Sequence, residues 1–281
     1  MIRGSTNVTG ILGDAGHVEM SLSPAIHNAA FSSLGMDWVY VGLPVSKGEL
    51  VSSALRGLGH AGFRGVNVTT PHKFDAARAA DRLEGAAATV GAVNTIEYRG
   101  AEMIGHNTDG LGLVRFLERD LGLTLRGTSV LLLGGGGAAS AAIAALADAE
   151  VRSITVALRD PTSFAPLNLS SGVDLRAITL GDAGEVAGES GLIINATPVG
   201  ERTQDDPLLG AASIRKGAAV IDMIYRPPAT KLLEEARLAG ALAHNGLGML
   251  LHQAALSFEI WTGVRPPLEK MSAMALRELA L

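Results

Sequence analysis

Short apolar runs alternate with helical patterns along nearly the whole chain. The strand-like runs are rich in leucine and β-branched residues and lie at 9–12, 38–45, 66–68, 129–133, 154–158, 191–195 and 218–222, with 90–98 also expected to be extended. Helical spacing of apolar residues lies between and after them, as at 109–121 and 247–261. Strands that alternate with helices are typical of a mostly parallel sheet. The pattern therefore predicts an α/β protein.

The polar residues that interrupt these strands point to a site. Residues 65–73 read GVNVTTPHK, a strand that breaks at Thr70-Pro71, where we expect a helix with Thr70 as its N-cap. This places Lys73 in the first helical turn, where the helix dipole disfavours a cation. Two later segments, with Asn94 and Asp109, could compensate the lysine. One lysine and one aspartate among neutral amides and hydroxyls predict a site for a polyhydroxylated small molecule and one proton transfer.

A second candidate is a run of glycines directly after a strand and before a helix. With Ala139 as its last position it fits GxGxxA, and the residues expected to meet a cofactor are Gly134, Gly135, Gly136, Gly137 and Ala138. In that context the backbone can approach a pyrophosphate, and the helix N-terminus attracts its charge. The alternative interpretation is a tight turn. The residue that reads the adenosine ribose should follow about 20 residues later, where Arg159 and Asp160 lie.

Other polar side chains have a plain structural interpretation when each is taken alone. Ser21 and Ser23 precede a helix, where two hydroxyls can bind a carboxylate, although capping alone would account for Ser23. Asn67 and Thr69 interrupt the strand before Lys73. Gln253 flanks the apolar face of its helix, where it could also be a satisfied buried amide. Asn67, Thr69, Lys73, Asn94 and Asp109 taken together favour a binding site, because separate structural interpretations do not explain why asparagine and threonine interrupt apolar strands so often.

Composition narrows the class of protein. The 281 residues are 47% hydrophobic and 18% charged, which is typical of a globular chain with room for two domains. A net charge of −5 without a basic cluster argues against nucleic acid as a partner. The absence of cysteine is compatible with the cytoplasm, and the seven histidines show no metal-ligand spacing. Residues 127–147 carry no charge, but the internal glycine run favours strand, turn and helix over a membrane span.

Taken together, the motifs resemble the shikimate dehydrogenase family. The matching segments appear in family order over nearly the whole chain and read SLSPAIHN (21–28), GVNVTTPHK (65–73), GAVNT (91–95), NTDG (107–110), LLGGGGAA (132–139), NATPVG (195–200), DMIY (222–225) and NGLGMLLHQA (245–254). The resemblance implies two α/β domains around a cleft, the second a Rossmann-type dinucleotide-binding domain. The substrate domain would comprise residues 1–109 plus 246–281, and the nucleotide domain residues 110–245.

The resemblance also implies an activity and roles for single residues. The reaction would be the reversible reduction of 3-dehydroshikimate to shikimate, a step toward aromatic amino acids. Lys73 and Asp109 would be the catalytic pair. The substrate would be held by Ser21, Ser23, Asn67, Thr69, Asn94, Tyr225 and Gln253. The cofactor would meet the glycine run, Arg159 and Asp160, together with Thr197, Met223, Gly246 and Met249.

The chain departs from the family pattern at the end of the second nucleotide-domain strand. NADP-dependent members often carry Asn-Arg-Thr or Asn-Arg-Ser there, whereas this chain has Leu158-Arg159-Asp160-Pro161. We expect NADP, with NAD as the alternative. A quinate/shikimate or aminoshikimate dehydrogenase, or a non-catalytic sensor that binds shikimate and nucleotide, are the competing functions. A monomer or homodimer is expected, with no membrane partner and no metal.

Overall fold

The structure is a computed structural model that describes residues 2–46, 50–164, 167, 169 and 172–280. The chain divides into two compact units: Met1–Gly112 with Leu251–Leu281, and Leu113–Leu250. The two boundaries follow Gly112 and Leu250, a few residues later than the limits of 109 and 245 predicted for the two domains. The first unit is therefore built from both ends of the chain.

The secondary structure alternates between strands and helices. The strands are β1 (Asn7–Gly13), β2 (Trp38–Pro44), β3 (Gly65–Val68), β4 (Arg82–Leu83), β5 (Thr95–Arg99), β6 (Glu102–His106), β7 (Ser129–Leu133), β8 (Ser153–Leu158), β9 (Asp174–Thr179), β10 (Leu192–Asn195), β11 (Ala219–Asp222) and β12 (Leu242–Asn245). The α-helices are α1 (Ala15–Glu19), α2 (Ser23–Ser33), α3 (Leu50–His60), α4 (Lys73–Ala79), α5 (Ala86–Val90), α6 (Asp109–Arg115), α7 (Gly137–Asp148), α8 (Ala183–Ala187), α9 (Lys231–Leu238), α10 (Leu247–Thr262) and α11 (Leu268–Leu279).

The first unit contains a mixed sheet with the strand order β2-β1-β3-β5-β6-β4. The pairs β3–β5 and β5–β6 are antiparallel, and the others are parallel. The expectation that residues 90–98 are extended is wrong at its start, because α5 occupies Ala86–Val90. Gly91, at φ 66, ends this alanine-rich helix, since glycine adopts the left-handed conformation without strain. The chain then enters β5, which carries Thr95 directly after Asn94.

Strand β3 and helix α10 approach each other closely at Gly65. Gly65 opens β3, and a Cβ atom at this position would lie 1.9 Å from Nε1 of Trp261 on α10. The same indole nitrogen donates to the Ile96 carbonyl at 2.9 Å. Only glycine leaves room for the indole here, so the first residue of GVNVTTPHK is explained by packing. Residues 251–262 of α10 are thereby held against the strands that carry Asn67 and Thr95.

The second unit is a parallel sheet with the strand order β12-β11-β10-β7-β8-β9. Read from β9, this is the order 3-2-1-4-5-6 of dinucleotide-binding folds. Its central strands are buried on both faces, as the continuous apolar run Val130–Leu133 predicts. The uncharged segment 127–147 forms β7, the glycine turn and most of α7, as predicted. Within the described residues, no helix is both long and apolar enough to span a membrane.

His27 lies in the aromatic layer of the first unit with no hydrogen-bond partner for either ring nitrogen among the described residues. Its ring stacks on Tyr40 at a centroid distance of 4.4 Å. Burial lowers the pKa of His27 from 6.5 to about 3. In the unfolded chain His27 therefore binds a proton below pH 6.5, whereas in the folded chain it stays neutral down to about pH 3. Stability contributed by the neutral ring is present above pH 6.5 and is lost as the pH falls through this window.

We expect His27→Phe to raise the melting temperature at pH 5 relative to wild type, and to raise it less at pH 8. Phenylalanine keeps the aromatic contacts but removes the protonation that pulls the chain toward the unfolded state. Melting temperatures of both proteins between pH 4 and 8 test this. Parallel losses in the two proteins as the pH falls would show that His27 does not contribute to acid sensitivity.

Candidate active site

Lys73 and Asp109 form an ion pair in the first unit. The Lys73 Nζ atom lies 2.6 Å from Oδ2 of Asp109, and the two side chains are 15% and 8% exposed. Lys73 is the first residue of α4, and Asp109 is the first residue of α6. A cation at a helix N-terminus is unfavourable, and the carboxylate supplies the compensation that the sequence predicted. The pair is therefore largely shielded from solvent, although neither side chain is fully buried.

Asn94 holds the other oxygen of the Asp109 carboxylate. Its Nδ2 atom donates to Asp109 Oδ1 and to Thr108 Oγ1, both at 2.8 Å. Its Oδ1 atom accepts from the Thr108 N–H at 2.9 Å. Asn107 caps the start of α6, because its Oδ1 accepts from the Asp109 N–H at 3.1 Å. Both carboxylate oxygens of Asp109 and its backbone N–H therefore form hydrogen bonds, with Lys73, Asn94 and Asn107.

Asn67 is buried, and its side-chain NH2 group has three hydrogen-bond acceptors around it. Its Nδ2 atom lies 3.1 Å from the Asn94 carbonyl and 3.0 Å from the hydroxyls of Thr95 and Ser257. The hydroxyl of Tyr40 donates to its Oδ1 at 2.8 Å. An asparagine with these surroundings presents an oxygen lone pair, rather than an N–H, to any further partner.

The N-terminal serines differ from the predicted arrangement. Ser23 is the first residue of α2 and forms no side-chain cap, so its predicted capping role is wrong. Instead Ser21 Oγ accepts from the Ser23 N–H at 3.2 Å. Burial raises the pKa of Tyr40, and the Ser23 side chain opposes this rise. Thr69 follows β3, half-buried, and its N–H donates to the Leu12 carbonyl at 2.9 Å.

The helix after β3 begins later than predicted. Thr70 and Pro71 lie in a turn closed by the His72 N–H, which donates to the Thr69 carbonyl at 3.0 Å. His72 occupies the capping position without a side-chain hydrogen bond to the helix, so Thr70 is not the N-cap. The prediction that Lys73 lies in the first turn is confirmed. The turn places the lysine closer to the helix end than Pro71 at the first position would have done.

Gln253 completes the polar group from α10. Its Oε1 atom lies 3.3 Å from Asn94 Nδ2 and 3.5 Å from Thr108 Oγ1. The sequence did not single out four neighbours of these groups: Tyr40, Thr95, Thr108 and Ser257. Thr95 and Thr108 adjoin Asn94 and Asp109 in the motifs, and Ser257 lies one helical turn after Gln253, so a weak signal existed for these three. No group of three or more metal-ligating side chains occurs within the described residues.

The glycine run in the second unit lies between β7 and α7, as predicted. Gly134 has φ 105, and a Cβ there would lie 3.1 Å from backbone atoms of Ala196 and 2.9 Å from Cγ2 of Thr197. Gly136 precedes α7 with open space around its Cα, and no side chain caps the helix. Gly137 and Ala138 form the first turn. Uncapped N–H groups at a twelve-residue helix, next to a backbone without side chains, fit a pyrophosphate.

The carboxyl end of β8 carries the two residues predicted to read the ribose. Arg159 and Asp160 are both exposed. The Asp160 carboxylate accepts from the Thr162 hydroxyl at 2.6 Å and from its N–H at 3.0 Å. These hydrogen bonds lower the pKa of Asp160, with the hydroxyl contributing most. Asp160 therefore caps the turn Pro161–Ser163, which the sequence had not indicated.

The remaining predicted cofactor residues follow β10, β11 and β12. Thr197 accepts from the Val199 N–H, and Met223 follows β11 half-buried. Gly246 donates its N–H to the Ile224 carbonyl at 3.1 Å, and Met249 is buried in the core of the second unit. Tyr225 is half-buried in the loop after β11, so it belongs to the second unit, unlike the other residues predicted to hold the substrate.

A buried polar cluster holds the loops that carry Thr197 and Met223. Asp222 accepts from Asn195 Nδ2 at 3.0 Å, from the Ile224 N–H at 3.1 Å and from the Thr230 hydroxyl at 2.6 Å. Asn195 Oδ1 in turn accepts from the N–H and hydroxyl of Thr197. Burial raises the pKa of Asp222, and these three hydrogen bonds oppose the shift. The cluster explains why polar residues end two otherwise apolar strands.

The two units together define the class of protein. One contains a Rossmann-type sheet whose first turn fits a dinucleotide, and the other a lysine–aspartate ion pair among neutral polar groups, a combination suited to proton transfer. Nicotinamide-dependent oxidoreductases need these two elements, because the nucleotide carries the hydride and the protein handles the proton.

Comparison with known proteins identifies the family. The model of the shikimate dehydrogenase substrate binding domain matches residues 14–96, and that of the shikimate 5'-dehydrogenase C-terminal domain matches residues 246–273. The NADP(+) shikimate dehydrogenase of Methanothermobacter thermautotrophicus is 42% identical over 287 residues, which cover 99% of each chain. The chain belongs to the shikimate dehydrogenase family, as the sequence motifs indicated.

Solved structures agree with this assignment. A crystal structure of a shikimate dehydrogenase in complex with NADP+ is 36% identical, with a TM-score of 0.88, and covers 99% of this chain and 98% of its own. The Thermus thermophilus enzyme in complex with NADP(H) and shikimate is 34% identical, with a TM-score of 0.84 and coverages of 96% and 99%. The predicted fold of two α/β parts with a Rossmann-type second part is confirmed.

Proposed function

We propose that this enzyme catalyses the reversible, NADP-dependent reduction of 3-dehydroshikimate to shikimate. The observation that carries the proposal is the Lys73–Asp109 pair, 2.6 Å apart and surrounded by neutral amides and hydroxyls. A ketone and its alcohol differ by one hydride and one proton, and the Lys73–Asp109 pair is suited to transferring the proton. The neutral groups around it suit a substrate rich in hydroxyls.

The first unit is proposed to bind the substrate. Ser21 and Ser23 would hold its carboxylate, because both residues lie at the start of α2, where a helix N-terminus attracts an anion. Asn67, Thr69, Asn94 and Gln253 would surround its hydroxyls, and Tyr225 of the second unit would contribute a further contact. The inward-facing amide of Asn67 supports a contact in which a substrate hydroxyl donates to Asn67 Oδ1.

Lys73 is proposed to give and take the proton. Its ammonium can donate to the substrate oxygen during reduction, and the neutral amine can take the proton back during oxidation. Asp109 keeps the lysine at the point of reaction through the contact to Oδ2. Asn94 prevents the carboxylate from turning away, since it holds Oδ1. The roles of acid, orienting carboxylate and supporting amide are thus divided among three residues.

The second unit is proposed to hold NADP. Gly134, Gly135, Gly136, Gly137 and Ala138 would accept the pyrophosphate, and Thr197, Met223, Gly246 and Met249 would form further contacts with the cofactor. When bound, the cofactor supplies or accepts the hydride. Arg159 would meet the 2′-phosphate through a charge-assisted hydrogen bond and by stacking on the adenine.

The decisive experiment measures nicotinamide absorbance with purified protein, shikimate or quinate, and either cofactor. We expect kcat/KM for shikimate with NADP to exceed that of every other pair. Quinate adds a hydroxyl at the carbon that bears the carboxylate and lacks the ring double bond, so it would leave polar groups of the pocket poorly matched. Equal kcat/KM for quinate and shikimate would favour a quinate/shikimate dehydrogenase. Binding without turnover would favour the sensor.

Arg159→Ala is expected to lower kcat/KM with NADP by roughly tenfold and to leave that with NAD nearly unchanged. The arginine is exposed, so its interaction with the phosphate is moderate in strength. Asp160→Ser should raise the preference for NADP, because it removes a negative charge near the phosphate while serine can still cap the following turn. Steady-state kinetics with both cofactors test both variants. A wild-type preference for NAD would invert the assignment and make Asp160 the ribose reader.

We also propose a monomer or homodimer in the cytoplasm. The absence of cysteine is compatible with this compartment. Sedimentation at several protein concentrations would distinguish the two assembly states, and a larger assembly would contradict the proposal.

A further inference from the structure

The hydrogen bonds behind the Lys73–Asp109 pair have a direction that can be worked out atom by atom. The starting point is Asn94, whose two amide atoms face unlike partners. The Thr108 N–H can only donate, so the Asn94 atom 2.9 Å from it is the oxygen. The ionised Asp109 Oδ1 can only accept, so the atom 2.8 Å from it is the nitrogen. The amide cannot be flipped without placing like partners together.

The same argument fixes Asn67. Its Nδ2 atom lies 3.1 Å from the Asn94 backbone carbonyl, which can only accept. Its Oδ1 atom therefore faces Tyr40, and the 2.8 Å contact must use the hydrogen of the Tyr40 hydroxyl. Tyr40 is 2% exposed, and burial raises its pKa well above the usual value, so the hydroxyl keeps this hydrogen.

Thr95 and Ser257 then join the two asparagines. The Thr95 hydroxyl lies 3.0 Å from Asn67 Nδ2, a donor, and 3.0 Å from Asn94 Oδ1, an acceptor. We assign its single hydrogen to Asn94 Oδ1, because the Ser257 hydroxyl can supply the hydrogen for the 2.8 Å contact between the Thr95 and Ser257 hydroxyls. With this assignment Ser257 donates to Thr95. The Gln253 carbonyl is a second acceptor for the Ser257 hydrogen, but it is more distant, at 3.1 Å. Ser257 itself accepts from Asn67 Nδ2 at 3.0 Å.

These assignments give one continuous series of donors, which we call the polar chain. It runs from Tyr40 to Asn67, Ser257, Thr95, Asn94 and finally Asp109, and each member donates to the next. Thr95 and Ser257 are both 0% exposed, so water does not compete for these hydrogen bonds. Hydrogen bonds aligned in a series polarise one another, most strongly where the dielectric is low, and here the series ends on a carboxylate.

We propose that Thr95 and Ser257 are positioning residues, which connect Asn67 to Asn94 so that the polar chain holds the Asp109 carboxylate directed at Lys73. This inference rests on the proposed function only for its effect on turnover. Neither residue contacts the ion pair, so each acts through Asn94. The hydrogen bonds from Asn67 Nδ2 to Ser257 Oγ and to the Asn94 carbonyl also fix the orientation of the Asn67 amide.

Thr95→Val tests the proposal, because valine has nearly the shape of threonine without its hydroxyl. We expect kcat/KM for shikimate to fall about three- to tenfold, the effect of one buried hydrogen bond. The acid limb of its pH profile should move to higher pH by roughly half a unit to one unit, because the carboxylate has lost part of its support. Thr95→Ser restores the hydroxyl and should recover most of both effects.

Ser257→Ala should move the acid limb in the same direction, and the double variant should move it no further than the larger single change. Thr9→Val is the matched control. Thr9 is also fully buried in this sheet, and its hydroxyl donates to the Val39 carbonyl. This control should leave the acid limb in place whatever it does to the melting temperature.

The titration of the Asp109 side-chain carboxyl, followed by carbon-13 NMR in the free protein, repeats the test without substrate. A shift to higher pH in Thr95→Val but not in Thr9→Val supports the polar chain even if shikimate proves not to be the substrate. An unchanged titration and an unchanged pH profile in folded Thr95→Val overturn it. Equal shifts in Thr95→Val and Thr9→Val also overturn it, because they would reflect packing alone.

Discussion

Lys73→Ala is expected to lower kcat for shikimate oxidation about 10²–10⁴-fold while changing KM far less, since this is the range for the loss of a proton-transfer group. The ammonium lies 2.6 Å from the Asp109 carboxylate, and the neutral amides nearby cannot replace it. Removal of the lysine also leaves a buried carboxylate without its counter-charge, which lowers stability as well. Steady-state kinetics and a melting curve of the same preparation separate the two effects.

Two further variants make this test specific. Lys73→Arg keeps the positive charge, but a guanidinium does not release its proton, so kcat should remain low while stability recovers. Lys231→Ala is the matched control, because Lys231 is also the first residue of a helix, is 42% exposed and pairs with Asp206 at 3.9 Å. It should leave kcat unchanged. A wild-type kcat in folded Lys73→Ala would remove the lysine from the mechanism.

Gly134→Ala is expected to weaken NADP binding at least tenfold and to lower the free energy of unfolding by roughly 1–3 kcal/mol. Gly134 has φ 105, which side-chain-bearing residues rarely adopt, and the added methyl would lie 3.1 Å from backbone atoms of Ala196. Either the turn or the loop after β10 must move. Both carry groups proposed to hold the cofactor, so the displacement should appear in the dissociation constant for NADP as well as in the melting temperature.

Gly136→Ala introduces the same methyl two residues later and separates fold from binding. Gly136 has φ −78, and nothing lies within 4 Å of the added Cβ. The melting temperature should stay at the wild-type value. NADP should still bind more weakly, because the methyl occupies the surface that the pyrophosphate is proposed to approach. Wild-type NADP affinity in Gly136→Ala would show that the pyrophosphate binds elsewhere.

The parts of the fold that follow from local chemistry were predictable. Within a few residues the sequence passes from the apolar run Val130–Leu133 to a glycine turn and then to an alanine-rich segment. These three patterns predict a buried strand, a turn and a helix, and the structure contains all three. The Lys73–Asp109 contact was also predictable, because a lysine at a helix start needs a counter-charge and the chain offered few buried candidates. In this case the unfavourable position of Lys73 at a helix start predicted a partner, Asp109, that is distant in the sequence.

Other features were set by contacts that no local pattern reveals. The start of α4 depends on a turn at residues 69–72 that continues past Pro71, which sequence preferences place at a first helical position. The end of the helix α5 was mistaken for strand because its five residues are too few to show a helical period. Ser257 lies 190 residues from Asn67, and a single serine on an apolar helix carries no sign of its partner.

The same separation affects how the protein is made. All of the second unit, Leu113–Leu250, is synthesised before Gln253, Ser257 and Trp261 leave the ribosome. Domains usually fold as units during synthesis, so the second unit can be complete while the first still lacks α11 and most of α10. A nascent chain of 250 residues already carries Lys73 and Asp109, yet the groove beside Gly65 and the oxygens around Asn67 have no partner from α10. The contacts of Gly65 and Asn67 with α10 therefore form only once residues 251–281 have been made.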